Sequence, residues 1–319
     1  MRRPVVIRAT IRIVLAAAVL AGCFPGRTGQ PTSSISSRPE SLDALTSRVQ
    51  RRIATAPGTA VIGIAYHDLE TGDTLYINAD SSFHAASTMK VPVMIELFRA
   101  FDDGRLRPDQ RIVLRNEFKS IVDGSPYVLD AGSDSDSLVY TRVGSEITIL
   151  ELIDRMITRS SNLATNVVIE LVGANNATAT ARSLGARNIR VLRGVEDGKA
   201  FQAGLNNSTT PRDLAVLMEA LERNTAASPG SSRAMRDILL RQEFNEEIPA
   251  GLPAGTPVAH KTGFITGVLH DAAIVYPTGR KPYILVLLTR GIPDQAVARE
   301  LMVDLSRLVY AHASARAKR

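Results

Sequence analysis

A serine and a lysine stand three residues apart, Ser87 and Lys90, near the start of the stretch "HAASTMKVPVMIELFRAF" (84–101). On a helix that spacing puts the hydroxyl and the amine on one face. A serine hydroxyl becomes a nucleophile when a neighbour takes its proton. A lysine can do so when burial and nearby positive charge lower its pKa. At a helix start, Ser87 also places its backbone N–H among unpaired donors suited to an oxyanion. Val91, Val93, Met94, Ile95, Leu97, Phe98 and Phe101 make the rest apolar on nearly every side, so a core helix holds the pair rigidly at one end. Pro92 fits only where a missing N–H costs little, which predicts a tight opening turn.

Two later segments carry matching chemistry. "MITRSSNLATN" holds Ser160, Ser161 and Asn162 just after an amphipathic stretch, and "AHKTGFITG" holds Lys261, Thr262 and Gly263 in a strand-like run. S-x-x-K, then S-x-N, then K-T-G in that order resembles the penicillin-recognising serine hydrolases: class A β-lactamases and the related D,D-peptidases. The resemblance spans about 41–313.

The resemblance implies roles. Ser87 is the acyl-accepting nucleophile, and Lys90 its proton acceptor or that acceptor's partner. Ser160 relays a proton to the leaving nitrogen, and Asn162 holds the substrate amide. Lys261 and Thr262 bind a substrate carboxylate, Gly263 lets substrate lie close to the strand, and the N–H of Phe264 is the second oxyanion donor. Turnover needs a general base for water, and Glu196 in "RGVEDGKAFQAGLNN" is placed for it, 34 residues past Asn162. The surrounding loop departs from the class A pattern E-x-x-L-N. Ala200 stands where an Asn is usual, with Asn206 and Asn207 later in the loop as substitutes. Ser161 replaces the Asp of S-D-N, so a buried hydrogen bond must differ there. No Arg reaches the carboxylate site from the strand after K-T-G, and His270 is the candidate in its stead. Asn166, one turn past Asn162, is expected to support the catalytic loop.

These residues need elements to position them. Ser41 is an N-cap for an amphipathic helix. "TAVIGIAYHD" and "DTLYINAD" read as a hairpin about Leu69–Gly72. "EITILELIDRMITRS" and "TTPRDLAVLMEALERN" are helical in period, and Pro211 suits the start of the second. Strand-like "TPVAHKTG", "HDAAIVYP" and "KPYILVLLTRG" precede a last helix. The expected fold is α+β, β-lactamase/transpeptidase-like: an antiparallel sheet built from both termini and flanked by the first and last helices, with an inserted all-α lobe. The α/β lobe takes about 41–85 and 246–313, the helical lobe about 86–245. The polar stretch 123–144 falls between the first two motifs, at the rim of the implied cleft.

The N-terminus carries an address. Residues 1–22 have Arg2, Arg3, Arg8 and Arg12 ahead of an apolar run too short to span a bilayer, the form of an export signal. The run ends in Leu20-Ala21-Gly22-Cys23, which resembles a bacterial lipobox, so lipidation is expected at Cys23, the only cysteine. Residues 23–40, rich in Pro, Gly, Ser and Thr, read as a flexible tether, with 41–319 as the hydrolase domain. The expected location is periplasmic, lipid-anchored to a bacterial membrane. The chain's charge of +6 falls to about +2 without residues 1–22, which leaves no nucleic-acid signal. The five histidines show no H-E-x-x-H spacing and no G-x-S-x-G is present, so neither a zinc hydrolase nor an α/β-hydrolase elbow is read. No metal or cofactor is expected, and a monomer is. The substrate is a β-lactam or a cell-wall peptide. Three readings stay open: a serine β-lactamase, a D,D-peptidase or related amidase/esterase, and a lipoprotein that binds lactams or peptidoglycan without turnover.

Overall fold

Ser41 accepts a bond from the Ala44 N–H, and from that cap α1 (Leu42–Ile53) buries Leu45 and Val49. The structure, a computed structural model, describes residues 41–316; the signal, Cys23 and tether lie outside the described residues. Next come the hairpin β1 (Val61–Asp68) and β2 (Thr74–Ile77), then the two-residue β3 (Phe83–His84). A 3₁₀ turn over Ala86–Met89 leads into α2 (Lys90–Asp102).

The helical lobe follows. Short strands β4 (Arg111–Val113), β5 (Phe118–Lys119), β6 (Pro126–Tyr127) and β7 (Glu146–Thr148) precede α3 (Ile149–Thr158), α4 (Asn162–Val172) and α5 (Ala174–Ser183). Then come α6 (Gly198–Gln202), β8 (Ser208–Thr209), α7 (Pro211–Glu222) and α8 (Pro229–Leu239). The chain returns through β9 (Val258–Ile265), β10 (Val268–Val275) and β11 (Tyr283–Arg290) to α9 (Gln295–Arg316).

Five strands form one antiparallel sheet in the order β2-β1-β11-β10-β9, so both ends of the domain build it as the sequence predicts. The alternation in β11 shows why its run is apolar throughout. Leu285 and Leu287 face α1 and α9 with Leu301, Met302 and Leu305, whereas Ile284, Val286 and Leu288 join the core shared with the helical lobe. The third motif lies on β9, the sheet edge nearest the nucleophile's turn.

The inserted lobe is less purely helical than its periodicity implies. It holds the two-stranded pairs β4–β7 and β5–β6, and β3 pairs with β8. Strands of two or three residues are too short for a period-2 pattern to show in the sequence.

Candidate active site

Ser87 lies in the 3₁₀ turn and not yet in α2, the tight opening that Pro92 requires. The Thr88 N–H makes the first bond of that turn, to Ala85 O at 3.0 Å, so the Ser87 N–H precedes the ladder. The approach is pinned from several sides. Ala85 N–H donates to Asn207 O, Ala86 N–H to His84 Nδ1, and His270 Nε2 meets His84 O at 2.9 Å. Ala86 has φ +44°, Ser160 +56° and Glu196 +61°; all three line one cleft, and strain of this kind persists where packing enforces a working geometry.

Lys90 starts α2 fully buried. Its Nζ donates to Ser160 O at 2.5 Å, to Ser160 Oγ at 3.1 Å and to Asn162 Oδ1 at 3.1 Å. Burial, then the charge of Lys261, pulls its pKa well below the ordinary lysine value, against the opposing pull of Asp134 and Glu196. Lys261, also fully buried, donates to Ser160 Oγ at 3.0 Å and to Thr262 O at 2.9 Å. Burial lowers its pKa to about 7, opposed by Asp271 and Glu247. The Ser160 hydroxyl thus sits between two lysine amines. Gly263 brings β9 against the nucleophile: a Cβ there would fall 2.9 Å from Ser87 N and 3.1 Å from Thr88 N. With no side chain to hold it off, the edge strand closes on the nucleophile's turn, and Phe264, the next residue, lines the same cleft as Ser87.

Asn162, the first residue of α4, joins two parts of the site. Its Oδ1 accepts from Lys90, and its Nδ2 donates to Glu196 Oε1 at 2.7 Å. Burial raises the Glu196 pKa above the usual carboxylate value; the Asn162 bond lowers it, and Asp134 and Asp130 push it up again. Asn166 holds the loop from below, its Oδ1 accepting from Val195 N–H at 2.6 Å and its Nδ2 donating to Val195 O at 3.0 Å. Gly194 is required there, since a Cβ would come 2.6 Å from Asn166 Oδ1.

Asn206 and Asn207 act at the neck of this loop. Asn206 Oδ1 accepts from Arg193, and Asn207 Oδ1 accepts from the Leu192 and Arg193 N–H groups while its Nδ2 returns a bond to Arg193 O. Asn207 braces the loop backbone and Asn206 holds the Arg193 side chain, whereas the sequence reading has them approaching Glu196. Ala200, at the usual Asn position, is buried.

The structure brings Ser87, Ser160, Asn162, Glu196 and Phe264 to one cleft of about 910 Å³ and sets Lys90, Lys261 and Gly263 in its wall. Thr262 lies buried on β9 between the last two. His270 is elsewhere. It is fully buried, edge-on to Phe83 at 5.9 Å, with Nε2 on His84 O at 2.9 Å and Nδ1 between Leu269 O at 2.8 Å and Thr289 N–H at 3.3 Å. Burial lowers its pKa to about 4, which keeps the ring neutral near pH 7. A neutral ring spent on backbone cannot take a substrate carboxylate. The strand register decided this, because His270 pairs with Gly263 and its ring turns beneath the nucleophile's turn.

Motif reading missed His84, Arg193 and Asp134. His84 lines the cleft edge-on to Phe201, and burial followed by the Arg193 charge depresses its pKa. Asp134 comes from the stretch 123–144, which also sends Ser133 and Ser135 to the cleft rim. Arg193 and Asp134 lie in irregular segments and His84 in a two-residue strand, with no spacing to mark any of them.

A family model described as the beta-lactamase enzyme family matches residues 44–313. The chain belongs to that family. Beta-lactamase AST-1 of Nocardia asteroides is 30% identical over 95% of this chain and 96% of its own. Among solved structures, PBP-A matches with a TM-score of 0.73 and 30% identity, covering 86% of this chain and 97% of its own. The beta-lactamase from Sphaerobacter thermophilus DSM 20745 matches at 0.74 and 29%, covering 84% and 97%. The family fold therefore carries the three motifs, with Ser161 and the 196–208 loop as this member's departures.

Proposed function

We propose that this chain hydrolyses β-lactams through an acyl-enzyme on Ser87. One observation carries the reading: the Ser160 hydroxyl lies 3.1 and 3.0 Å from two buried lysine amines, and Asn162 joins one of them to Glu196. Lys90, kept short of protons by burial, takes the Ser87 proton as Oγ bonds the lactam carbonyl carbon. The Ser87 and Phe264 N–H groups hold the oxyanion. The C–N bond breaks and Ser160 passes its proton to the departing nitrogen, regaining one from the lysine pair. Lys261 and Thr262 bind the substrate carboxylate. Glu196 then takes a proton from water as the water oxygen bonds the ester carbon; the acyl C–Oγ bond breaks and that proton is returned to Ser87 Oγ, which frees the serine and restores the carboxylate. No step calls for a cofactor.

The same machinery fits a second reading, a D,D-peptidase on cell-wall peptides. Two observations favour keeping it: the likeness to PBP-A, and Ala200 in a loop built unlike the class A pattern. A mutant of PBP-A is known as an acyl-enzyme complex with penicillin-G, so acylation belongs to both readings and deacylation separates them. The protein acts as a monomer, exported and held to the membrane by lipid on Cys23.

Intact-mass spectrometry with excess penicillin, with free drug counted over time, tests this. A transient adduct on Ser87 with drug consumed many times over supports hydrolysis. A persistent adduct with one drug lost per protein supports the peptidase, and no adduct removes both.

A further inference from the structure

Ser161 leaves a question that the motifs do not answer: the residue between Ser160 and Asn162 carries no charge, yet the backbone N–H groups that open α4 are buried against the site. The Ser161 hydroxyl caps only the Ala164 N–H, at 3.2 Å. The N–H groups of Asn162 and Leu163 both donate to Asp134 Oδ2, each at 2.9 Å. The Tyr140 hydroxyl donates to the same oxygen at 3.0 Å, and Asp136 N–H to Oδ1 at 3.0 Å. Asp134 is 7% exposed. A carboxylate on the first amides of an eleven-residue helix meets both the unpaired donors and the positive end of the dipole.

We infer that Asp134 is a positioning residue for acyl transfer: from the segment before α3 it supplies the carboxylate that Ser161 lacks and sets the Asn162 amide between Lys90 and Glu196. Its own segment is fastened to α3, which makes the placement rigid. Asp136 takes a two-oxygen bond from Arg155, at 3.2 and 3.0 Å, and Ser135 Oγ donates to Arg159 O at 2.7 Å. The clamp therefore spans the α3–α4 junction, where Ser160 is held at positive φ. The role requires that Asp134 touch no substrate; it acts through Asn162.

Its charge also acts on the two proton-handling groups. The charges facing Lys90 are Lys261 from β9, Asp134, and Glu196 from the loop after α5; those facing Glu196 are Asp134, Asp130 and Lys90. Asp134 favours the protonated form of both. Removing its charge lowers both pKa values, so the acidic limb of the pH–rate profile moves to lower pH.

This inference rests on the acyl-transfer reading above, and the test keeps the two apart. On the full-length chain, Asp134→Asn is expected to cut kcat with a chromogenic cephalosporin about tenfold and move the acidic limb down by roughly half a pH unit. Ser161→Asp in that background returns a carboxylate to the same helix end and restores both rate and limb. A lowered melting temperature with an unmoved limb means a structural role only and overturns the inference, as does an unchanged rate. If Asp134→Asn does not fold, the double variant decides alone: folded with the wild-type limb it supports the inference, and unfolded or displaced it overturns it. A wild-type protein that forms no acyl-enzyme with fluorescent penicillin counts against the lactam reading only. The limb is then read on a D-alanyl ester, whose acyl transfer needs the same amide.

Discussion

The two halves of the site are built differently. The acylating half stands on regular elements: Ser87 and Lys90 where the 3₁₀ turn becomes α2, and Lys261 and Gly263 on β9. Its two lysine amines are fully buried and meet on the Ser160 hydroxyl. The half around Glu196 stands on irregular backbone, held by Asn166 beneath, Asn207 at the neck and Asp134 across the α3–α4 junction. The first half draws its precision from core packing, which any shift in α2 would disturb. The second draws it from single hydrogen bonds, which can be removed one at a time. Lactamase and peptidase chemistry share the first half, so differences between them belong in the second.

The largest expected effect tests the shared half. Ser87→Ala should abolish the covalent adduct and lower lactam turnover by at least about 10⁴-fold, read by mass and by drug consumption. An adduct that survives would move the nucleophile elsewhere. Next, Glu196→Gln should slow deacylation about 10³-fold while acylation stays within a few-fold, so the acyl-enzyme accumulates in rapid-mixing experiments. Equal slowing of both steps would erase the division between the halves.

A smaller effect concerns His270. The folded protein keeps this ring neutral with a pKa near 4, while the unfolded chain binds a proton near 6.5. The unfolded state then binds more protons below pH 6.5, so stability is full above that value and lost as pH falls toward 4. Denaturant titrations should show about 2 kcal/mol lost to this group between pH 7 and 5, and His270→Gln should flatten that slope. An unchanged slope would mean that the ring is protonated in the fold. Smallest of all, Asn166→Ala should slow deacylation about tenfold, since Val195 loses two bonds, and leave acylation near its original rate. Burst amplitude against steady-state rate separates the two.

What the amino-acid order determined by itself is the part made of strong local patterns. Ser41 before an amphipathic run, Pro211 opening α7, and the hairpin about Leu69–Gly72 are short-range chemistry, and each appears in the structure. The core helix with its tight opening, and the strand carrying Lys261, were equally legible, because periodicity survives tertiary packing. Only the tertiary structure could decide the rest. His270 looked available at a strand start, but register turned it under the nucleophile's approach. Asn206 and Asn207 were near enough in sequence to serve Glu196, yet the Arg193 guanidinium claimed the first and backbone groups the second. Asp134 lies 28 residues before Asn162 and meets its amide only because the 130–136 segment folds back over α3. A hydrogen bond is set by position to within a few tenths of an ångström. Between residues far apart in the chain, that position is a property of the packed fold.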